Sequence, residues 1–177
     1  MIPYALRLGA LLALVAGVVY AVGRLVYVKT KGKKYTIKHE VIPLLFVMYI
    51  AGILALTFYR PPLWNGADVN LIPFKTIIEY FTTSSGAARL NLIGNVVFFA
   101  PFGLFVPALF EKLRRFLPML AVSVGIPLII EIAQFVFGRS ADVDDVILNA
   151  LGILAGYAAY RIFRKRTPQE PINGGEE

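Results

Sequence analysis

The sequence predicts an all-α fold: a polytopic membrane bundle of five transmembrane helices. The N-terminus is expected outside and the C-terminus in the cytoplasm, with a short interfacial helix in an outer loop. Three observations carry this reading. Of the 177 residues, 58% are hydrophobic and 16% are charged, where a soluble domain carries about 25% charged residues. Five segments each approach the roughly 20 predominantly apolar residues that a bilayer crossing needs. Lys and Arg are distributed unevenly between the connections. The chain has no Cys and one His, which excludes a disulfide framework, a thiol nucleophile, a zinc–thiolate site and a multi-histidine metal site.

The first segment, about residues 5–28, has sixteen uncharged residues between Arg7 and Arg24, or about 24 Å of helix. Both arginines are expected to snorkel outward. Most of its flanking charge (Arg24, Lys29, Lys31, Lys33 and Lys34) follows the apolar run, whereas a signal peptide carries its charge before the run. The segment therefore reads as an uncleaved helix. The second span is 41–59 and the third 92–110, both uncharged; the fourth is 116–137, with Glu131 as its one charge. The fifth is about 146–162, with Arg161 at its end.

Twelve basic residues fall on one side: Lys29, Lys31, Lys33, Lys34 and Lys38; Lys112, Arg114 and Arg115; Arg161, Arg164, Lys165 and Arg166. Five fall on the other: Arg7, Arg60, Lys75, Arg89 and Arg139. The positive-inside rule then places the C-terminus in the cytoplasm. Three parts follow: residues 1–40, an N-terminal helix with a basic cytoplasmic loop; 41–163, a four-helix membrane domain; and 164–177, a disordered cytoplasmic tail. The basic segments set orientation and touch anionic lipids. They lack a folded module to present them to nucleic acid. His39 is read as a cytoplasmic surface residue.

The outer side carries one long loop, from Arg60 to Asn91. It opens with Pro61-Pro62, which cannot continue a helix. Asn70, Pro73 and Phe74 follow, then 75–83 with Ile77, Ile78 and Phe81 at helical spacing, the pattern of a short interfacial helix. In the third span Asn91 and Asn95 lie four apart on one face, and Pro101 and Pro107 are expected to kink the helix. Glu131 stands fifteen residues above Phe116, about 22 Å along the axis and inside the membrane. A carboxylate at such a depth is costly and normally faces the bundle interior. Gln134 lies close to the same face, and Pro127 sits one turn below. The next connection holds Arg139, Asp142, Asp144 and Asp145, with Asn149 one turn further on. Asp142 either shares a helix face with Asp145 and Asn149 or acts as an N-cap. Gly152 and Gly156 form a small-xxx-small pair for helix packing. Asn91, Asn95, Gln134, Arg139, Asp142, Asp144, Asp145 and Asn149 thus line an expected polar pocket around Glu131, open to the outside. The plain alternative is a network that only ties the helices together.

These residues resemble the VanZ-like family of bacterial membrane proteins. The matching pieces are Asn70-Leu71-Ile72-Pro73-Phe74, the run from Asn91 through Gly94, Asn95, Pro101 and Gly103, Glu131-Ile132-Ala133-Gln134, and the run from Gly138 and Arg139 through Asp142, Asp144, Asp145 and Asn149 to Gly152. They extend over about residues 41–163, and their order and spacing together are specific. Ala100 departs mildly from the Ile or Leu more usual before that proline. The family takes its name from a protein that confers low-level resistance to teicoplanin, a lipoglycopeptide antibiotic. The resemblance implies a multi-pass protein of the bacterial cytoplasmic membrane with a role at the cell envelope; it implies no cofactor and no particular reaction.

Three mechanisms are compatible with the residues. In the first, the pocket binds a lipid-linked cell-wall precursor or the lipid tail of a lipoglycopeptide, with Arg139 pairing to a phosphate or carboxylate. In the second, Glu131 is the catalytic acid or base of an enzyme acting on such a precursor; the Asp142-Val143-Asp144-Asp145 string is weak evidence for a hard cation, and no metal is assigned. In the third, Glu131 beside Pro127 serves an ion-coupled transporter. The clustering of polar residues in one half of the membrane weighs against this last reading. Membrane lipid is the expected partner, and the oligomeric state is open.

Overall fold

The computed structural model describes residues 2–32, 37–58, 68–82 and 86–166. The elements in chain order are α1 (Ile2–Lys31), α2 (Ile37–Phe58), β1 (Val69–Asn70), α3 (Lys75–Thr82), α4 (Gly86–Leu109), a 3-10 turn (Glu111–Arg114), α5 (Phe116–Val136), β2 (Ala141–Asp142) and α6 (Val143–Arg166). Five of the helices are long and apolar enough to cross a membrane. The helices of the first, second, third and fifth spans begin before the apolar runs that announce them. α4 starts at Gly86 rather than Leu92 and α6 at Val143 rather than Val146, because polar residues at a span's end continue the helix once it is nucleated. Expectations placed on 33–36, on 59–67 (Arg60 and Pro61-Pro62 among them), on 83–85 and on the tail 167–177 lie outside the described residues.

α4 and α6 form the centre. Their backbones approach so closely that a Cβ on Gly103 would overlap the Ile153 carbonyl oxygen, and one on Gly156 would overlap that of Ala100. Gly152 meets the Val96 carbonyl in the same way. Two glycines a turn apart on α6 thus remove the side chains that would hold the helices apart, as the small-xxx-small spacing predicts. Phe99, Val106, Ile153 and Tyr157 fill the space around this contact, with Met119 from α5 fully buried among them. α2 joins through aromatic rings: Phe46 stands 6.2 Å from Phe102 and 6.1 Å from Phe105, and Tyr49 6.0 Å from Phe105. The Tyr49 hydroxyl donates to the Phe98 carbonyl at 2.8 Å, in the turn that Pro101 interrupts.

α1 packs chiefly on α2 and leaves most of its Leu and Val side chains exposed, Val19 by 66% and Leu14 by 58%. On a spanning helix such a face meets lipid. Near the C-terminal end of α1, Arg24 pairs with a carboxylate of α2. Its Nε donates to Glu40 Oε2 at 2.9 Å, its Nη2 pairs with Oε1, and the Tyr20 hydroxyl donates to the same carboxylate at 2.8 Å. A bidentate carboxylate across the helix pair outcompetes water for the guanidinium. Glu40 is buried by this contact.

At the opposite end, β1 and β2 pair in parallel, Val69 with Ala141 and Asn70 with Asp142. This two-residue ladder brings the loop before α3 against the start of α6. The ends of α2 and α5 and the starts of α4 and α6 meet here, and the polar residues collect among them.

Candidate functional site

Arg139 is placed by the way α5 ends. Gly138 adopts φ +75°, a left-handed conformation that glycine takes without penalty. Its N–H donates to the Phe135 carbonyl and that of Arg139 to the Gln134 carbonyl, each at 2.9 Å. This is a Schellman closure, which satisfies the last carbonyls of the helix. From there Arg139 Nη1 donates to the Thr57 carbonyl at the end of α2, where Gln134 Nε2 also donates at 2.9 Å. Thr57 therefore joins α2 to α5. Burial lowers the Arg139 guanidinium pKa from its ordinary value, while the charges of Glu131 and Asp145 act in the opposite direction.

Glu131 is buried, and its Oε2 accepts the Asp142 N–H at 2.9 Å. The carboxylate deep in α5 thus holds β2 in place. Asp142 caps α6: its Oδ1 accepts the Asp144 N–H at 2.9 Å. It precedes α6, so it does not share a helix face with Asp145 and Asn149. Its carboxylate also receives Asn70 Nδ2 at 3.0 Å and Thr76 Oγ1 at 2.5 Å. Asn70 Nδ2 reaches Thr76 Oγ1 at 3.0 Å as well, and its Oδ1 accepts the Ile72 N–H at 3.2 Å.

Asp144 is fully buried. One oxygen accepts the Phe74 N–H at 2.5 Å and the other the Ile77 N–H at 3.1 Å. These amides at the start of α3 have no partner within their own helix, so Asp144 caps α3 from a distance. Phe74 has φ +67°, an unfavourable conformation for a bulky residue. The Asp144 carboxylate holds it there, and Pro73 leads into it. Asp144 therefore anchors the loop that leads into α3, with both carboxylate oxygens taken by backbone amides.

The remaining members form a second layer. Asn95 Nδ2 donates to Asp145 Oδ1 at 2.5 Å, joining α4 to α6. Asn149 lies one turn along α6; it is 4% exposed and its Oδ1 has no hydrogen-bond partner among the described residues. A buried acceptor without a partner is unfavourable, and an N–H or O–H from a bound molecule would satisfy it. Asn91 is exposed, and no hydrogen bond ties it to the cluster among the described residues. The structure thus brings together Asn70, Asn95, Glu131, Gln134, Arg139, Asp142, Asp144, Asp145 and Asn149, and leaves Asn91 outside. Four carboxyl groups accompany a single guanidinium among them. Thr57 and Thr76 are additions. Thr57 acts through its backbone carbonyl and carries no sequence signal; Thr76, three residues after Pro73, could have been found as a hydroxyl at a helix start.

An apolar groove of about 530 Å³ lies between α1, α2 and α4, and no residue of the polar cluster is in its lining. Gly9, Ala13, Met48, Gly52, Phe98 and Pro101 are among its lining residues. The groove reaches Leu56, one residue before Thr57, and Val97, two residues beyond Asn95. Small residues on α1 and α2 create it, because nothing longer fills the space between the helices.

These features define a multi-pass helical membrane protein with its polar residues gathered at one end of the bundle. A model of the VanZ/LLP1 family matches residues 46–164, and the chain belongs to that family. Protein VanZ of Enterococcus faecium is 35% identical over 111 residues, which are 62% of this chain and 63% of that protein. The matched part thus spans less than two thirds of that relative. No solved structure gives a significant match. The family match begins within α2 and includes every residue of the polar cluster.

Proposed function

We propose that this protein lies in the bacterial cytoplasmic membrane with its polar cluster on the outer side, and that it lowers sensitivity to lipoglycopeptide antibiotics such as teicoplanin by binding the antibiotic's acyl chain. The observation that carries this reading is the apolar groove whose lining reaches Leu56, the residue before the Thr57 carbonyl that Gln134 and Arg139 hold. An acyl chain suits the groove, and a head rich in hydroxyl and amide donors suits the unpartnered Asn149 Oδ1. An excess of carboxyl groups repels a diphosphate, so this geometry favours a lipoglycopeptide over a lipid-linked precursor. The charge asymmetry supports the orientation, and the exposed Leu71, Ile72, Ile78 and Phe81 support an interfacial position for α3.

The test is binding of teicoplanin to the purified protein in nanodiscs, beside a glycopeptide without an acyl chain. Saturable binding of the acylated compound alone is expected, weakened by Gly52→Leu, which fills the groove, and by Glu131→Gln. Cells expressing either variant at wild-type membrane levels should lose protection. Equal binding of both antibiotics, or of neither, would refute the reading. Preferential binding of a lipid-linked precursor would move the function to that ligand.

A further inference from the structure

A second cavity lies at the other end of the bundle, away from the polar cluster. It measures about 270 Å³ and is lined by Arg114, Tyr160, Arg161, Arg164 and Lys165. Arg114 comes from the turn between α4 and α5, and the others from the last turns of α6. Two of the cations are held in position. Arg114 Nε donates to the Pro107 carbonyl at 3.2 Å, and its Nη1 pairs with Glu111 at 2.8 Å. The guanidinium of Arg161 stands 6.0 Å from the ring of Tyr157, whose hydroxyl donates to the Arg114 carbonyl at 2.8 Å. One tyrosine thus links the two sides of the cavity.

The charge in the cavity is unbalanced. Glu111 offsets Arg114, but no ion pair offsets Arg161, Arg164 or Lys165 among the described residues. The net excess calls for a ligand with more than one negative charge. Phosphate oxygens match the planar donor forks of arginine. The surroundings identify the source of that phosphate. Phe116 and Leu117 at the start of α5 are 52% and 73% exposed, and Ile162 and Phe163 on α6 are 52% and 62% exposed. Apolar side chains at the level of the cavity therefore present a surface for acyl chains, as basic pockets at the membrane surface do.

We infer that this cavity binds the headgroup of an anionic phospholipid, its phosphates among Arg114, Arg161, Arg164 and Lys165 and its chains along α5 and α6. This site is independent of the function proposed for the opposite end.

The protein would be reconstituted in nanodiscs of phosphatidylcholine with a small fraction of cardiolipin, and the lipids that stay bound would be counted by native mass spectrometry. Wild type should retain cardiolipin selectively. The exposed pair Arg164→Gln/Lys165→Gln, and separately Arg161→Gln, should lower that retention roughly fivefold per charge removed. Lys29→Gln/Lys31→Gln, which removes equal charge from the same end of the bundle outside the cavity, should leave it unchanged. Equal loss in this control would show general surface attraction and overturn the site. Displacement by inorganic pyrophosphate at concentrations that bind wild type without lipid would make the ligand a free anion and overturn the lipid assignment.

Discussion

Both helix pairs of this bundle rely on glycine, α4 with α6 and α1 with α2, but a methyl group would strike different things in each. On Gly103 it would meet the Ile153 carbonyl and the Tyr157 N–H, atoms of a backbone that cannot move without its helix. On Gly17 it would come within 2.8 Å of Met48 Cγ, the flexible middle of a side chain. The first pair is a direct contact of backbones. The second is closed by adjustable side chains and the Arg24–Glu40 pair, and it leaves a groove open beside it. The family match covers the first pair to within two residues of the end of α6 and begins only partway along the second. Rigidity thus belongs to the centre that carries the polar cluster, and adaptability to the side that carries the groove.

The largest expected effect is at the centre. Gly103→Ala gains up to about 1 kcal/mol of helix propensity, but the overlap with the Ile153 carbonyl should cost more than the roughly 1–3 kcal/mol typical of overpacking. Thermal unfolding in detergent should show a collapse of stability or no folded protein. A variant with near wild-type stability would mean that α4 and α6 are not in backbone contact.

Asp144→Ala comes next. It leaves the Phe74 and Ile77 amides without an acceptor and releases the strained Phe74, at a cost of about 2–3 kcal/mol. Hydrogen exchange should accelerate across α3 while α1 and α2 keep wild-type protection. Uniform acceleration in every helix would place Asp144 in the global core rather than at a local anchor.

How much of this was legible beforehand depends on whether a feature is written along the chain or across it. Five spans follow from apolar length alone, and Glu131, Asn95 and Asp145 follow from position within a helix. The role of Asp144 does not, because its partners are backbone amides about seventy residues earlier, and every residue carries such an amide. The β1–β2 ladder is two residues long and has no pattern to read. Glu40 stands just before an apolar run, and its partner Arg24 lies sixteen residues earlier on another helix. Asn91 lies one turn from Asn95 on the same face, yet it is exposed. The groove was invisible because it is made by what glycine and alanine lack.

The smallest expected effect is at the outer pair, and it is the same substitution as at the centre. Gly17→Ala places its methyl against Met48, whose thioether chain has rotamers to spare. The adjustment should offset most of the gain in helix propensity, leaving stability within about 1 kcal/mol of wild type. Measured beside Gly103→Ala under one set of conditions, the two variants isolate what the neighbour is made of, since the added atom is identical. Similar losses at both sites would mean that α1 and α2 are locked as firmly as α4 and α6. The groove would then have to accept a ligand without any movement of its walls, and its 530 Å³ would be the full space available.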